Sequence, residues 1–433
     1  MKNQFLFLCL SMLTGFAQNQ SQPAATASNT APAAPAKDWE TTVYGSIRTD
    51  YMGDTRKMAQ VREYNLDLYP LDESLDANGT DINKAGAYNF LSITTKFGVK
   101  VKGPDVWGAK VNGTLEGDFF GNTESTIGLF RLRHAFVNLD WKKTGVLLGQ
   151  TWYPTFIPEV MPGVANFNTG ILFNPFGWST QARFKWHVNP HVTAIFTAYK
   201  EREFTTPTVI GTAPTNSDLS QNSASINSPI PSLNAQMQYK KGHWFAGAGF
   251  EFKSMQPLSK SNGLATSEKV NSQSVYGYFK YANDQFGIKA YGIYGGNTYN
   301  MVMLGGYAGT NHVGGVETYD PIKVHALWFE LYSTKKAIAP GLFIGYTKND
   351  GSTADAFNTL YGRGYSATGT RGVDHVFRTS GRVSFQQNKF SITPEVEYTS
   401  ALWGDVIGNG AIGNNHLQLV GNVRFLILCM YSF

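Results

Sequence analysis

Few residues of this sequence have the type and spacing to bind a metal. Eight histidines are scattered along the chain, and only His187 and His191 stand at the separation of a metal-binding pair. The pair straddles residues 189–190 (Asn-Pro), which predict a turn, so the two rings do not share one face of a helix. We therefore interpret them as histidines at the rim of a sheet, and we expect neither a metal nor a cofactor.

Two further motifs could support nucleotide or hydrolytic chemistry. The stretch from Gly408 to Gly413 fits G-x-G-x-x-G, but no helix is predicted after it, and phosphate binding at this motif requires one. Asp374 and His375 are an adjacent acid and base, yet no G-x-S-x-G or comparable nucleophile accompanies them. The sequence predicts that the protein is not an enzyme. A barrel-embedded hydrolase, whose serine, histidine and acid meet at a rim, stays as a less favoured alternative.

The elements that position these residues follow from composition. The chain has 433 residues, of which 15% are charged, 14% are aromatic and 45 are glycine. A typical soluble domain is about 25% charged, and abundant aromatic residues and glycines are typical of strands and turns. A mean hydropathy of -0.24 excludes a helical membrane protein. The net charge of +5 is too small for a protein that binds nucleic acid, so a large all-β protein remains.

The N-terminus predicts export. A positively charged start and a short apolar run at residues 5–16 lead to a small-residue cleavage site. We expect a cleaved signal peptide at residues 1–17 and a low-complexity periplasmic tether at residues 18–38. Cleavage would remove Cys9 and leave Cys429 as the one cysteine, so neither a disulfide nor a cysteine-based zinc site forms within one chain.

From residue 39 to residue 433 apolar and polar residues alternate, as in strands that have one apolar face and one face in contact with water, called the wet face below. In one run the apolar side carries Leu91, Ile93, Thr95, Phe97, Val99 and Val101, and the polar side carries Ser92, Thr94, Lys96, Gly98, Lys100 and Lys102. In another run the polar side carries Ser391, Thr393, Glu395, Glu397 and Thr399. We expect one β domain over residues 39–433.

The connections between the predicted strands alternate between short and long. Short turns are predicted at residues 103–105, 142–145, 188–190, 240–242, 283–285, 334–340 and 386–388. Long loops are predicted at residues 52–87, 120–129, 153–179, 201–230, 254–270, 297–322, 349–373 and 401–414. Fifteen connections give sixteen strands, and bacterial outer-membrane barrels have an even strand number with short periplasmic turns. The predicted fold class is all-β: a transmembrane antiparallel β-barrel of 16 strands with long extracellular loops.

Aromatic residues and the C-terminus favour a membrane barrel. Interfacial girdles are predicted from aromatic residues near strand ends, namely Trp107, Phe119, Tyr239, Trp244, Phe279, Tyr281 and Phe286. The chain ends at Phe433, and a terminal strand with a final aromatic residue resembles the signal by which the β-barrel assembly machinery recognises its substrates. Leu426, Leu428 and Met430 fall on the side that should be wet, which leaves the register of this strand open.

Three motifs resemble those of a known family. Residues 115–121 (LEGDFFG), 132–136 (LRHAF) and 149–152 (GQTW) resemble successive motifs of the DcaP-like trimeric outer-membrane porins. The match is close over the third to fifth predicted strands and elsewhere mainly architectural. The resemblance implies a sixteen-stranded homotrimer in the outer membrane of a Gram-negative cell that passes small anions, dicarboxylates in particular. Many relatives carry a coiled coil before the barrel, and residues 18–37 contain no heptads.

The third long loop, residues 153–179, is the one that folds into the lumen in sixteen-stranded porins. It is nearly uncharged, with Glu159 as its one acid. Its apolar residues are many for a loop bathed in water: Ile157, Val160, Met161, Ile171, Leu172 and Phe173. We expect it to narrow the pore by bulk, and an ordinary surface loop is the alternative.

Charged residues on the wet face would line the pore and set its selectivity. The predicted cations are Arg48, Lys96, Lys100, Lys110, Arg183, Lys185, Lys280, Lys289, Arg378, Arg382 and Arg424. Arg131 and Arg133 join them, although the alternation slips at residues 135–138, which suggests a bulge and leaves the facing of both arginines open. The predicted acids are Asp50, Glu116, Asp118, Glu251, Glu330, Glu395 and Glu397. This excess of cations predicts a modest preference for small anions. Acids of the first loop would oppose it at the mouth, namely Asp67, Asp72, Glu73, Asp76 and Asp81.

Two alternatives stay open for the function. The charges could merely solvate a water-filled wall, and a structural or adhesive barrel with a plugged lumen is the alternative to an open channel. The expected partners are outer-membrane lipid, two further copies of the chain, the assembly machinery and small anionic solutes.

Overall fold

The computed structural model describes residues 39–204, 207–220, 222–311 and 315–433. The signal peptide and the tether predicted at residues 1–38 lie outside the described residues. The described chain is built almost entirely of strands, joined on one side by short turns and on the other by long loops.

Sixteen antiparallel strands form a closed barrel, which confirms the predicted fold class. They are β1 (Glu40–Asp54), β2 (Lys96–Val106), β3 (Ala109–Asp118), β4 (Arg131–Asp140), β5 (Thr144–Trp152), β6 (Trp178–His187), β7 (Val192–Glu201), β8 (Ser232–Lys241), β9 (Trp244–Met255), β10 (Val270–Ala282), β11 (Phe286–Gly296), β12 (Thr318–Ser333), β13 (Ile338–Gly351), β14 (Arg371–Gln387), β15 (Phe390–Asp405) and β16 (Gln418–Ser432). Closure comes from β1, which pairs with β2 through residues 40–46 and with β16 through residues 46–54.

Alternation decides which side chains face the lumen. On β15, Thr393, Glu395 and Glu397 are buried inside the barrel, whereas Ile392 and Val396 are exposed on its outer surface. This is the pattern of a membrane barrel with an apolar exterior and a polar interior. The same rule fixes β16: Leu426 and Leu428 are buried inside, and Phe425 and Ile427 are exposed outside.

The inward leucines of β16 belong to a small apolar cluster. Leu426 and Leu428 pack with Met52, Leu91 and Ala165, and Ala165 belongs to the third long loop. The sequence left the register of this strand open. The third loop explains the inward facing of Leu426 and Leu428, because it covers this part of the wall. Phe433 continues the ladder, because its N–H donates to the Gly45 oxygen at 3.1 Å.

The run predicted as one strand from residue 91 to residue 102 is broken, so the facing predicted for Leu91 is wrong. A short strand, Ala87–Leu91, pairs with β1, and a turn at residues 92–95 separates it from β2. Leu91 lies opposite Asp50 and faces inward, where the alternation had placed it outward. The turn resets the alternation, and from Lys96 onward the prediction holds: Phe97 is exposed on the outside.

The remaining elements lie in the loops. A hairpin of Met58–Val61 and Leu66–Pro70 forms part of the first loop, and a second hairpin joins Lys260–Ser261 to Leu264–Ala265. Three loop strands, Thr208–Gly211, Gly305–Thr310 and Thr359–Arg363, join the start of β12 in a small antiparallel sheet on the long-loop side. The helical turns are α1 (Ser223–Ile226) and the 3₁₀ turns Glu124–Thr126, Pro158–Val160 and Tyr299–Met301. Among the described residues, no helix is long and apolar enough to cross a membrane.

Candidate functional site

The third loop, residues 153–179, crosses the interior of the barrel. Three wall side chains on β8, β11 and β12 bind it: the Gln236 amide donates to the Pro154 oxygen at 3.1 Å, the Tyr291 hydroxyl to the Thr155 oxygen at 2.9 Å, and the Trp328 indole to Asn174 Oδ1 at 3.1 Å. An ordinary surface loop could not reach these strands from inside, so the inward fold predicted from its apolar residues is what the structure shows.

The apolar residues of this loop form a core inside the barrel. Ile157, Val160 and the segment 171–173 are buried against the first-loop hairpin and residues 301–304 of another loop, whereas Met161 stays exposed. Burial of this apolar surface away from water holds the three loops together. This apolar core therefore occupies part of the barrel interior on the long-loop side.

Wall carboxylates hold the backbone of the third loop. Glu395 accepts N–H groups from Ala165 at 2.8 Å and Asn166 at 3.2 Å. Glu330 accepts the Gly163 N–H at 3.0 Å and pairs with Lys289 and Arg382. Both carboxylates are nearly or completely buried, so their negative charge is used in loop contacts rather than in the water-filled path.

Asp67 of the first loop lies deep in the lumen, and the prediction that it adds negative charge at the mouth is wrong. It is fully buried between Arg424 at 2.8 Å and Arg378 at 3.0 Å, and it accepts hydrogen bonds from Asn166 and Asn168 of the third loop. Burial alone raises the pKa of Asp67, but Arg424 and Arg378 outweigh that effect and hold the pKa below its usual value. One carboxylate thus joins two loops to two wall strands.

The same network explains Arg378, Arg424 and Glu397. Arg378 also contacts Glu397 at 3.2 Å and donates to the Ile171 oxygen, and Arg424 pairs with Asp54 at 2.7 Å. Both arginines are almost completely buried. Asp72 and Asp81, two of the other first-loop acids, pair with Arg371 and Arg56.

Arg131 and Arg133 both face inward and meet the acids Glu116 and Asp118. Arg131 Nε lies 2.7 Å from Asp118, and Arg133 lies 2.8 Å from each acid. Both guanidinium groups stack on the Trp178 ring, at 4.8 and 4.7 Å from its centroid. The bulge lies opposite residues 116–117, and not at residues 135–138 where the slipped alternation had suggested it.

The other predicted cations divide into paired and unpaired groups. Arg48 pairs with Asp50 at 2.7 Å, Lys96 lies 3.7 Å from Glu116, and Lys110 pairs with Asp105 near a short turn. In contrast, four cations have no carboxylate within 4 Å among the described residues, and these are Lys100, Arg183, Lys185 and Lys280.

Two of these unpaired cations, Arg183 and Lys185, lie near the one acid of the third loop. Glu159 is exposed on the 3₁₀ turn Pro158–Val160, and its charge interacts electrostatically with Arg183 and Lys185 of β6. Beside them the rings of Tyr278, Tyr291 and Trp328 stack along the wall, with centroid separations of 6.4 and 6.5 Å. These rings are buried in the apolar core, so Arg183, Lys185 and Glu159 lie beside the contact between the third loop and the wall.

Sequence reasoning missed several buried charges, and Lys253 and Asp54 are two of them. Lys253 of β9 lies 3.9 Å from Glu251 and donates to the Asn297 oxygen at 2.5 Å and to Asn300 Oδ1 at 3.0 Å. Alternation with Glu251 could have placed Lys253 in the lumen. Asp54 was missed because β1 continues two residues beyond the loop boundary predicted at residue 52.

The motifs considered for metal or nucleotide chemistry occupy separate places. His187 and His191 flank the turn between β6 and β7, with hydrogen-bond partners Thr193 and the Lys240 oxygen. The segment 408–413 is a loop closed by a bridge between Val406 and Ile412. No group of three or more potential metal ligands occurs among the described residues.

Solved structures share this architecture. The DcaP outer-membrane channel of Acinetobacter baumannii is 16% identical, with 91% of this chain and 97% of that chain aligned and a TM-score of 0.65. The fold is that of the outer-membrane porins. An anion-selective porin from Comamonas acidovorans aligns at 12% identity over 92% of this chain and 100% of that chain, with a TM-score of 0.52. OmpT of Vibrio cholerae aligns at 11% identity over 91% and 98%, with a TM-score of 0.51.

Neither a family model nor a curated protein matches the sequence. At these identities the likeness to the porins shows the fold alone. The DcaP-like architecture indicated by residues 115–121, 132–136 and 149–152 is thereby confirmed.

Proposed function

We propose that the protein is a non-enzymatic porin of the Gram-negative outer membrane, a passive diffusion channel with a modest preference for small anionic solutes such as dicarboxylates. The observation that carries this proposal is the set of four lumen cations without a carboxylate partner among the described residues: Lys100, Arg183, Lys185 and Lys280. Charged rings in a pore select the counter-ion, and Arg matches the geometry of a carboxylate.

Two further observations support the proposal. The acids on the predicted wet face are buried in ion pairs or in contacts with the third loop, so little negative charge of the wall faces the path. The porin from Comamonas acidovorans, which shares the fold, is described as anion-selective, and this makes anions the first class to test.

A structural barrel with a plugged lumen is a second candidate, favoured by the apolar core that the three loops form inside the barrel. Purified protein added to a planar lipid bilayer distinguishes the two functions. A porin gives discrete, ohmic conductance steps in KCl. A lumen that never conducts would contradict the proposed channel and favour the structural barrel.

A further inference from the structure

The outer surface of the barrel carries an apolar groove across β5 to β9. Its volume is about 640 Å³. Three alanines, Ala182, Ala198 and Ala235, form its floor, and Ala182 lies directly opposite Ala198 in the ladder. The walls are the larger side chains Val146, Phe184, Phe196, Leu233, Phe250 and Phe252. Small residues between bulky ones make a channel of about the width of a hydrocarbon chain.

A second cavity continues the groove towards the short-turn rim. It measures about 720 Å³ and shares Val146 and Phe184 with the groove. Its polar end is formed by Trp141, Lys142 and Lys143 at the turn between β4 and β5. Both lysines are exposed, and neither pairs with a carboxylate in the part of the chain that the structure describes. The whole surface is thus cationic at one end and apolar along the rest.

We propose that this surface is a binding site for an anionic glycerophospholipid of the periplasmic leaflet. The phosphate lies between the ammonium groups of Lys142 and Lys143, the Trp141 ring lies at the level of the glycerol backbone, and one acyl chain fills the groove over Ala182 and Ala198. The site rests on the membrane orientation in the proposed function, and it does not require that the channel conducts.

Three physical facts favour this occupant over a second copy of the chain. Lysines near a membrane surface attract anionic headgroups, and tryptophan prefers the interface between headgroups and chains. Each CH₂ that leaves water adds to binding, so a groove that receives a whole chain discriminates a lipid from a free phosphate. A second copy of the chain could fill the apolar groove, but it would not explain why two unpaired lysines lie at the end of the groove.

Native mass spectrometry of the full chain in detergent tests the site. The probes are phosphatidylglycerol, zwitterionic phosphatidylcholine and glycerol phosphate without chains. We expect one phosphatidylglycerol per subunit, weaker retention of phosphatidylcholine and no retention of glycerol phosphate. The double variant Lys142→Gln/Lys143→Gln should bind phosphatidylglycerol roughly thirtyfold more weakly. Ala198→Phe, which fills the groove from outside, should also reduce retention.

The matched control is Lys240→Gln/Lys241→Gln, which removes the same charge at a turn that lines neither cavity. Equal losses in both lysine pairs would show general charge attraction and overturn the site, as would full retention by Ala198→Phe. A different result would point to a contact between copies of the chain. In that case the wild-type protein retains no lipid, and Ala198→Phe dissociates its oligomer. Heat-modifiable migration on gels confirms that each variant is folded. Ala182→Phe is a second groove variant, to be used if Ala198→Phe does not fold. Bilayer conductance should be the same in all these variants. A protein that does not conduct would therefore contradict the porin proposal without bearing on the lipid site.

Discussion

At the scale of single residues, Asp67 has the largest predicted effect. The Asp67→Asn variant removes one charge and leaves Arg378 and Arg424 buried without it. Loss of one partner of a buried ion pair costs about 3–5 kcal/mol. We expect the free energy of unfolding in urea to fall by that order, and the single-channel current to become noisier because the first and third loops lose a shared anchor. Glu73→Gln, which removes an exposed charge from the same loop, should change neither quantity.

The same carboxylate predicts how the channel responds to acid. The folded-state pKa of Asp67 lies below its unfolded value, so its contribution to stability is fully present above the unfolded value and is lost progressively as the pH falls from there through the folded-state pKa. We expect current noise to stay constant from about pH 8 to about pH 4, because the carboxylate of the folded protein remains charged over this range, and to rise only at lower pH. Asp67→Asn lacks the titrating group and should show no such additional rise. A rise in wild-type noise already near pH 6 would contradict this role of Asp67.

At the scale of elements, β16 links the wall to the third loop. Leu428 packs in the cluster that includes Ala165, whereas its neighbour Ile427 faces outward. Leu428→Ala should lower the free energy of unfolding by about 2–4 kcal/mol, because it leaves a cavity under the loop. Ile427→Ala is the matched control on the outer face and should cost less. Equal losses in the two variants would mean that the assigned register of β16 is wrong.

Most of the elements could be predicted from the sequence because alternation and turn residues are local signals. The sixteen strands and the short turns followed from them, whereas the inward third loop followed from its apolar residues and its place in the order of loops. The turn at residues 92–95 was missed because the alternation continues through it by chance. The inward facing of the leucines of β16 could not be predicted, because it depends on the third loop that covers them.

The site could be predicted only in part, since alternation gives the facing of a side chain and not its partner. Arg378 and Arg183 both face inward in the sequence pattern, yet one is buried among Asp67, Glu397 and the third loop, and the other has no carboxylate within 4 Å among the described residues. Contacts between residues more than 300 positions apart, such as Asp67 with Arg378, leave no local signal.

At the scale of the whole molecule, assembly is the first prediction. The resemblance to the DcaP-like porins implies a homotrimer, and identical subunits usually close into a symmetric ring. We expect native mass spectrometry of the detergent-solubilised protein to show a trimer that dissociates to a monomer on boiling. Detection of monomer alone before boiling would contradict the predicted assembly.

The reversal potential in a planar bilayer under a KCl gradient tests the central claim most directly. The wild-type channel should prefer chloride modestly, because the Debye length of about 8 Å screens charges across a wide pore. The triple variant Arg183→Gln/Lys185→Gln/Lys280→Gln should shift the reversal potential towards cation preference, since these inward-facing cations have no carboxylate within 4 Å among the described residues. The control Lys240→Gln/Lys241→Gln/Lys335→Gln removes equal charge from the turns and should leave it unchanged. A cation-selective wild type, or a triple variant whose reversal potential equals that of the wild type, would contradict the account.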